Sequence, residues 1–115
     1  MAALDALKRQ NGFTRFHLVG QSGGGHTVAG LAQLRSDIGC AAIASGPVSV
    51  LSSVRDRGLP SSLQDRVLSI LKHRFYNPID HVHAMKQRPD LRLFVVSDRN
   101  DKLVSYRSQL ELSNA

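Results

Sequence analysis

Gly20-Gln21-Ser22-Gly23-Gly24 places a serine between glycines at the spacing G-x-S-x-G. Such a serine can attack an acyl carbonyl when a sharp strand-to-helix turn pushes its hydroxyl clear of the backbone. Gly20 and Gly24, two positions to either side, let neighbouring backbone pass without a Cβ clash. The Gly23 N–H, at the start of the helix, would face the negative charge that develops on the attacked oxygen. The spacing alone also fits a plainer role, in which Ser22 caps the helix through its hydroxyl. A strand before it and a helix after it favour the nucleophile. A second rival uses the same stretch. Gly20–Thr27 has the spacing of a phosphate-binding loop, G-x-x-x-x-G-K-[ST], with His26 in the lysine position. An imidazole is shorter than a lysine, so nucleotide binding ranks last of the three.

The other histidines and the single cysteine offer less. His26 lies four residues after Ser22 on the same helix, where its approach to the hydroxyl is poor. His17 alternates with Phe16 and Leu18 and reads as a strand histidine satisfied locally. His81 and His83 are two apart, so on a helix they diverge by about 200° and cannot hold one metal ion together. His73 and Lys72 read as part of a solvated helix end and face. Cys40, among small residues, reads as a buried apolar side chain. No metal or cofactor is implied.

The elements that must position Ser22 can be read from periodicity and punctuation. Ala2–Gln10 has helical composition and stops at Asn11-Gly12. Arg15–Val19 reads as a short strand, and Val28, Leu31 and Ala32 share one face of a helix from Gly23 to about Ser36. Ile38–Ala44 is small and apolar, as in a strand buried on both faces. Pro60 and Ser61, with Gln64 three residues on, read as a capping box; Leu63, Val67, Ile70 and Leu71 then form an apolar stripe. Asn77-Pro78-Ile79-Asp80 opens another helix, with asparagine as its cap. Leu91–Val96 is the strongest strand; a polar loop, Ser97–Lys102, precedes a last helix on which Tyr106 and Leu110 share a face. The order predicts an α/β fold with three parallel strands and flanking helices.

Composition narrows the field. The 115 residues suit one domain, and 42% apolar with 21% charged residues describes an ordinary globular chain. No apolar run approaches a membrane span, Met1–Asp5 lacks the features of a secretory signal, and the single cysteine excludes an internal disulfide framework, so a reducing, cytoplasmic setting is expected. The formal charge is +6, from 15 Lys+Arg against nine Asp+Glu. The basic residues are scattered and aromatics make up only 5%, which argues for solvated charge and against nucleic-acid recognition.

Phe16-His17-Leu18-Val19-Gly20-Gln21-Ser22-Gly23-Gly24-Gly25-His26 resembles the nucleophile elbow of α/β-hydrolases, above all their prolyl-oligopeptidase and dienelactone-hydrolase branches. Ser97-Asp98-Arg99-Asn100-Asp101-Lys102-Leu103-Val104-Ser105 resembles the loop that carries the acid of that superfamily. The resemblance makes Asp101 the acid, because Val104 stands three residues after it. Ser97 in place of a glycine and Ser105 in place of a proline leave Asp98 as a second candidate. It implies a partial α/β-hydrolase fold and a serine hydrolase acting on ester or peptide bonds through an acyl-enzyme. Ser22 would be the nucleophile and Asp101 would orient a histidine. That histidine follows the acid in this superfamily, and Lys102–Ala115 contains none. The strands that precede the elbow also have no counterpart here. A truncated, weakly active or inactive form is therefore expected, with a small ester or peptide as partner. The alternative is a non-catalytic remnant that self-associates through exposed sheet edges.

Overall fold

Helix α1 (Ala2–Asn11) opens the chain in the computed structural model, which describes residues 1–71 and 76–115. It ends where Gly12 takes φ 69°, and the Gly12 N–H donates to the Lys8 carbonyl. Glycine adopts this left-handed turn without steric cost. Strand β1 (Phe16–Gln21) runs two residues beyond the predicted end. Gly20 and Gln21 pair with Ile43 and Ala44, and a ladder needs only backbone, so the glycine does not interrupt it. Helix α2 (Gly23–Leu34) stops short of Ser36 because Arg35 is extended, its guanidinium paired with Asp37. Strand β2 (Ile38–Ala44) has the predicted bounds, and β3 (Arg92–Val96) starts one residue late. The three strands are parallel in the order β1-β2-β3.

The core lies on one face of this sheet. Phe16, Ile38, Ala41 and Ile43 meet Val28, Ala29 and Ala32 of α2 there, joined by Val82, Met85 and Leu112. The opposite face carries the cross-strand rows His17–Cys40–Arg92, Val19–Ala42–Phe94 and Gln21–Ala44–Val96. Val19 is 81% exposed, and Phe94 and Val96 more than half. So β2 is not buried on both faces as expected: Cys40, Ala42 and Ala44 are half-buried. Cys40 is correspondingly not a core thiol, and His17 is exposed with no side-chain hydrogen bond to the described residues.

Between β2 and β3 the chain forms α3 (Val50–Asp56), α4 (Ser61–Leu71), a 3₁₀ turn (Pro78–His81) and α5 (Val82–Lys86). The predicted capping box does not form. The Pro60 carbonyl accepts from the Leu63 and Gln64 N–H groups, while the Gln64 side chain donates back to the Leu59 carbonyl. The stripe on α4 is only partly covered: Leu63 and Ile70 are exposed, Val67 and Leu71 half-buried. Asn77 does not cap its helix through its side chain. Its Oδ1 accepts from the Val50 N–H at 3.0 Å and its Nδ2 donates to Asp80, so it ties two segments together. The readings of Lys72 and His73 lie outside the described residues. The chain closes with α6 (Tyr106–Asn114), capped by Ser105, whose hydroxyl accepts from the Ser108 N–H.

Candidate active site

Ser22 is the single residue between β1 and α2, and it has φ 53° and ψ −123°. This positive φ costs a side-chain-bearing residue of order 1–3 kcal/mol. The strain follows from reversing the chain in one residue, with the Ser22 N–H donating to the Ala44 carbonyl at 3.0 Å and its own carbonyl accepting from Gly25 at 2.9 Å. Gly20 makes the bend possible. A Cβ there would lie inside the Gly24 carbonyl and 2.8 Å from the Gly25 nitrogen. Gly24 has open space at its own Cβ position, whereas one on Gly25 would meet Ile43 at 2.9 Å and Gly46 at 3.0 Å. The glycine that packs against the sheet is therefore Gly25, not Gly24. Spacing alone does not separate adjacent glycines.

The Ser22 side chain is exposed and does not cap α2. The capping role is thereby removed, leaving the hydroxyl without a hydrogen-bond partner among the described residues. The N–H groups of Gly23 and Gly24 likewise find no acceptor among them, as expected in the first turn of a helix. One residue between strand and helix is also too short a loop to wrap a phosphate. His26, in the lysine position of that alternative, is held between the Pro47 carbonyl at 3.3 Å (Nδ1) and the Tyr76 carbonyl at 3.1 Å (Nε2). Both ring nitrogens thus face backbone carbonyls, of which a neutral ring can donate to one.

Beyond Ser22 a groove of about 420 Å³ is lined by Gly23, Pro47, Arg57, Lys102, Leu103 and Val104, among others. The segment following Asp101 therefore meets the elbow at the carboxyl ends of the strands. Asp101 is half-buried, and its Oδ1 accepts from the Leu103 N–H at 2.8 Å and the Val104 N–H at 3.0 Å. These two bonds, that from Val104 foremost, hold its carboxyl below the usual carboxylate range. Its Oδ2 has no partner among the described residues. Asp98 differs: it is exposed, and its Oδ1 closes a local turn on the Asn100 N–H. A larger hollow, about 660 Å³ between Ser49–Leu51 and Tyr76–His81, contains no residue of the elbow.

Several supporting residues escape a reading by motif. Buried Gln109 accepts from the Asp98 N–H and donates to the Asp98 and Val104 carbonyls, bracing both ends of the loop. Asp56 accepts from the Ser105 N–H at 2.8 Å. A proline has no such donor, so this bond gives Ser105 a physical role where the resemblance expects proline. Ser97 needs no glycine-like backbone, since Ser22 and Ser45 are the non-glycine positive-φ residues among the described ones. Ser45 (φ 46°) turns the chain at the end of β2, its N–H donating to the Val96 carbonyl. The one available signal for it was Ser45-Gly46-Pro47, a turn sequence directly after a strand.

The fold has a solved counterpart. An esterase from Pyrococcus furiosus superposes on 98% of this chain with a TM-score of 0.66 and 20% sequence identity. The fold is shared with an esterase. This chain spans 44% of that esterase's length. It matches no family profile and no curated protein sequence. No helix among the described residues is long and apolar enough to cross a membrane.

Proposed function

We propose that this chain carries the nucleophile and acid of a serine hydrolase of the α/β-hydrolase type, acting on ester or peptide bonds through an acyl-enzyme. The observation that carries the reading is Ser22 itself. A strained, exposed and uncommitted serine joins a strand to a helix, at a groove whose far wall is the loop after Asp101. The Ser22 oxygen would attack the acyl carbonyl, with the Gly23 N–H stabilising charge on the carbonyl oxygen as the carbon becomes tetrahedral. The alcohol or amine then leaves with a proton, and water releases the acid from Ser22. Asp101 is the better acid of the two candidates, because backbone N–H groups fix one oxygen and leave the other for an imidazole N–H. Among the described residues no imidazole is hydrogen-bonded to Ser22 or Asp101, so slow turnover accompanies this assignment. The fold shared with an esterase supports the ester end of the substrate range. The likeness to the prolyl-oligopeptidase and dienelactone-hydrolase branches rests on the elbow and acid-loop residues.

A fluorophosphonate probe tests the reading directly. Covalent labelling at Ser22, lost in Ser22→Ala, together with slow Ser22-dependent release of p-nitrophenol from p-nitrophenyl acetate, is the expected result. Labelling elsewhere, or none, overturns it.

A further inference from the structure

The groove beside Ser22 is not electrically neutral in what it offers a ligand. Arg57, directly after α3, and Lys102, directly after Asp101, both line it and both are exposed. Neither forms an ion pair with a described residue. One carboxylate, Asp56, also lines the groove, with its Oδ2 accepting from the Ser105 N–H, and Asp101 beyond it gives Oδ1 to the Leu103 and Val104 N–H groups, so two cations stand against one lining carboxylate. Pro47, Leu103 and Val104 supply an apolar side, with Leu103 84% exposed, and Ser53 adds a hydroxyl. A groove with an apolar side, two cations against one lining carboxylate, and the first residue of α2 in its wall favours a molecule with an apolar body and a negative group. The chain's formal charge of +6 adds a long-range attraction of the same sign.

We infer that this groove selects substrates bearing a carboxylate near the acyl group, with Arg57 and Lys102 as the residues that recognise it. The inference rests on the hydrolase reading for the word substrate, but the anion preference is a property of the groove and can be measured without turnover. The Ser22→Ala protein is titrated with succinanilic acid, a carboxylate-bearing amide, and with butyranilide, its neutral counterpart, following backbone amide resonances of Gly23 and Leu103. Succinanilic acid should bind about tenfold more tightly at low salt, a preference that shrinks at high salt as exposed charges are screened. In the added double substitution Arg57→Gln, Lys102→Gln the two amides should bind alike. Equal binding by the cationic protein, binding of neither amide, or a preference that survives the double substitution overturns the inference. Fluorophosphonate labelling reports separately on Ser22: an anion preference without labelling sinks the hydrolase and keeps the groove, and labelling without preference does the reverse.

Discussion

At the amino ends of the strands, Arg88 donates to the carbonyl oxygens of Ala32, Arg35, Ser36 and Ile38 and closes on Asp90. Beside it, Asp37 accepts from Arg35 at 2.7–2.8 Å and from Lys8 at 3.0 Å, and Arg35 reaches on to Asp5. At the carboxyl ends no ion pair is found among the described residues, and Gln109 and Asp56 brace only the loop after β3. Two serines hold positive φ, the Ser22 hydroxyl and two helix N–H groups are unpartnered, and two cations stand without counter-ions. One end spends its polar groups on holding the layers together, whereas the other leaves several of them available. Open α/β sheets bind ligands beyond the carboxyl ends of their strands. The contrast gives that rule a local cause: polar groups committed to the fold cannot also meet a substrate. Substitutions at the two ends should therefore differ in what they damage.

The largest effect is expected where the carboxyl end has no slack. In Gly20→Ala the new methyl would occupy the space of the Gly24 carbonyl, so either β1 or the first turn of α2 must move. A loss of about 3 kcal/mol or more is expected in urea denaturation, since backbone rather than a flexible side chain must yield. Ser22 labelling should disappear with it. Tolerance of alanine at position 20, with labelling intact, would mean that the elbow is not held as described.

Arg88→Ala tests the other end. It removes the donor shared by four carbonyls, two of them from α2 and its C-cap, and should lower stability by about 2 kcal/mol. Under native conditions the rate of Ser22 labelling should not change. A fall in both would show that the ends are coupled through β2, breaking the separation.

These residues also mark what could be read before the fold was seen. The elbow was legible because it is local: strand, Ser22 and helix are consecutive, and the steric need at Gly20 is expressed within five residues. The bounds of β2 were legible because a run of small apolar residues ends in a turn sequence. Arg88 and Arg35, by contrast, belong to a set read as solvated charge, and nothing near Arg88 in sequence announces that its carbonyl partners lie fifty or more residues earlier. Gln109 and Asp56 were missed for the same reason. Their role is to satisfy backbone groups of a distant loop, and that is decided by tertiary packing rather than by neighbours. The bare sheet face was misread because a small-residue strand satisfies the pattern of two-sided burial whether or not a second layer covers it.

Acid should weaken the amino end. The Asp37 carboxyl is held well below its ordinary 3.8, chiefly by the Arg35 guanidinium and then by Lys8. Because the folded value is the lower one, the unfolded chain binds the proton more readily. Its contribution is complete above the ordinary carboxylate range and is lost as pH falls through the folded value. Asp37→Asn should cost about 1 kcal/mol near neutrality and flatten the decline of stability between about pH 5 and pH 2. An unchanged acid profile in the variant would assign the decline to other carboxylates.

The smallest shift carries the opposite sign. Ser22→Gly removes the side chain from a conformation that glycine adopts freely, and Ser22 makes no side-chain hydrogen bond whose loss would offset the relief. Part of the gain is returned through the extra freedom of glycine in the unfolded chain, leaving a net stabilisation of about 0.5 kcal/mol. Denaturation midpoints of Ser22→Gly and Ser22→Ala separate strain from simple loss of the hydroxyl, because alanine retains the Cβ and therefore the strain. Glycine should rise above the parent protein while alanine does not, and both should abolish labelling. A glycine variant less stable than alanine would mean that position 22 is not strained, and the carboxyl end would lose its claim to be the part of the sheet where stability is given up for chemistry.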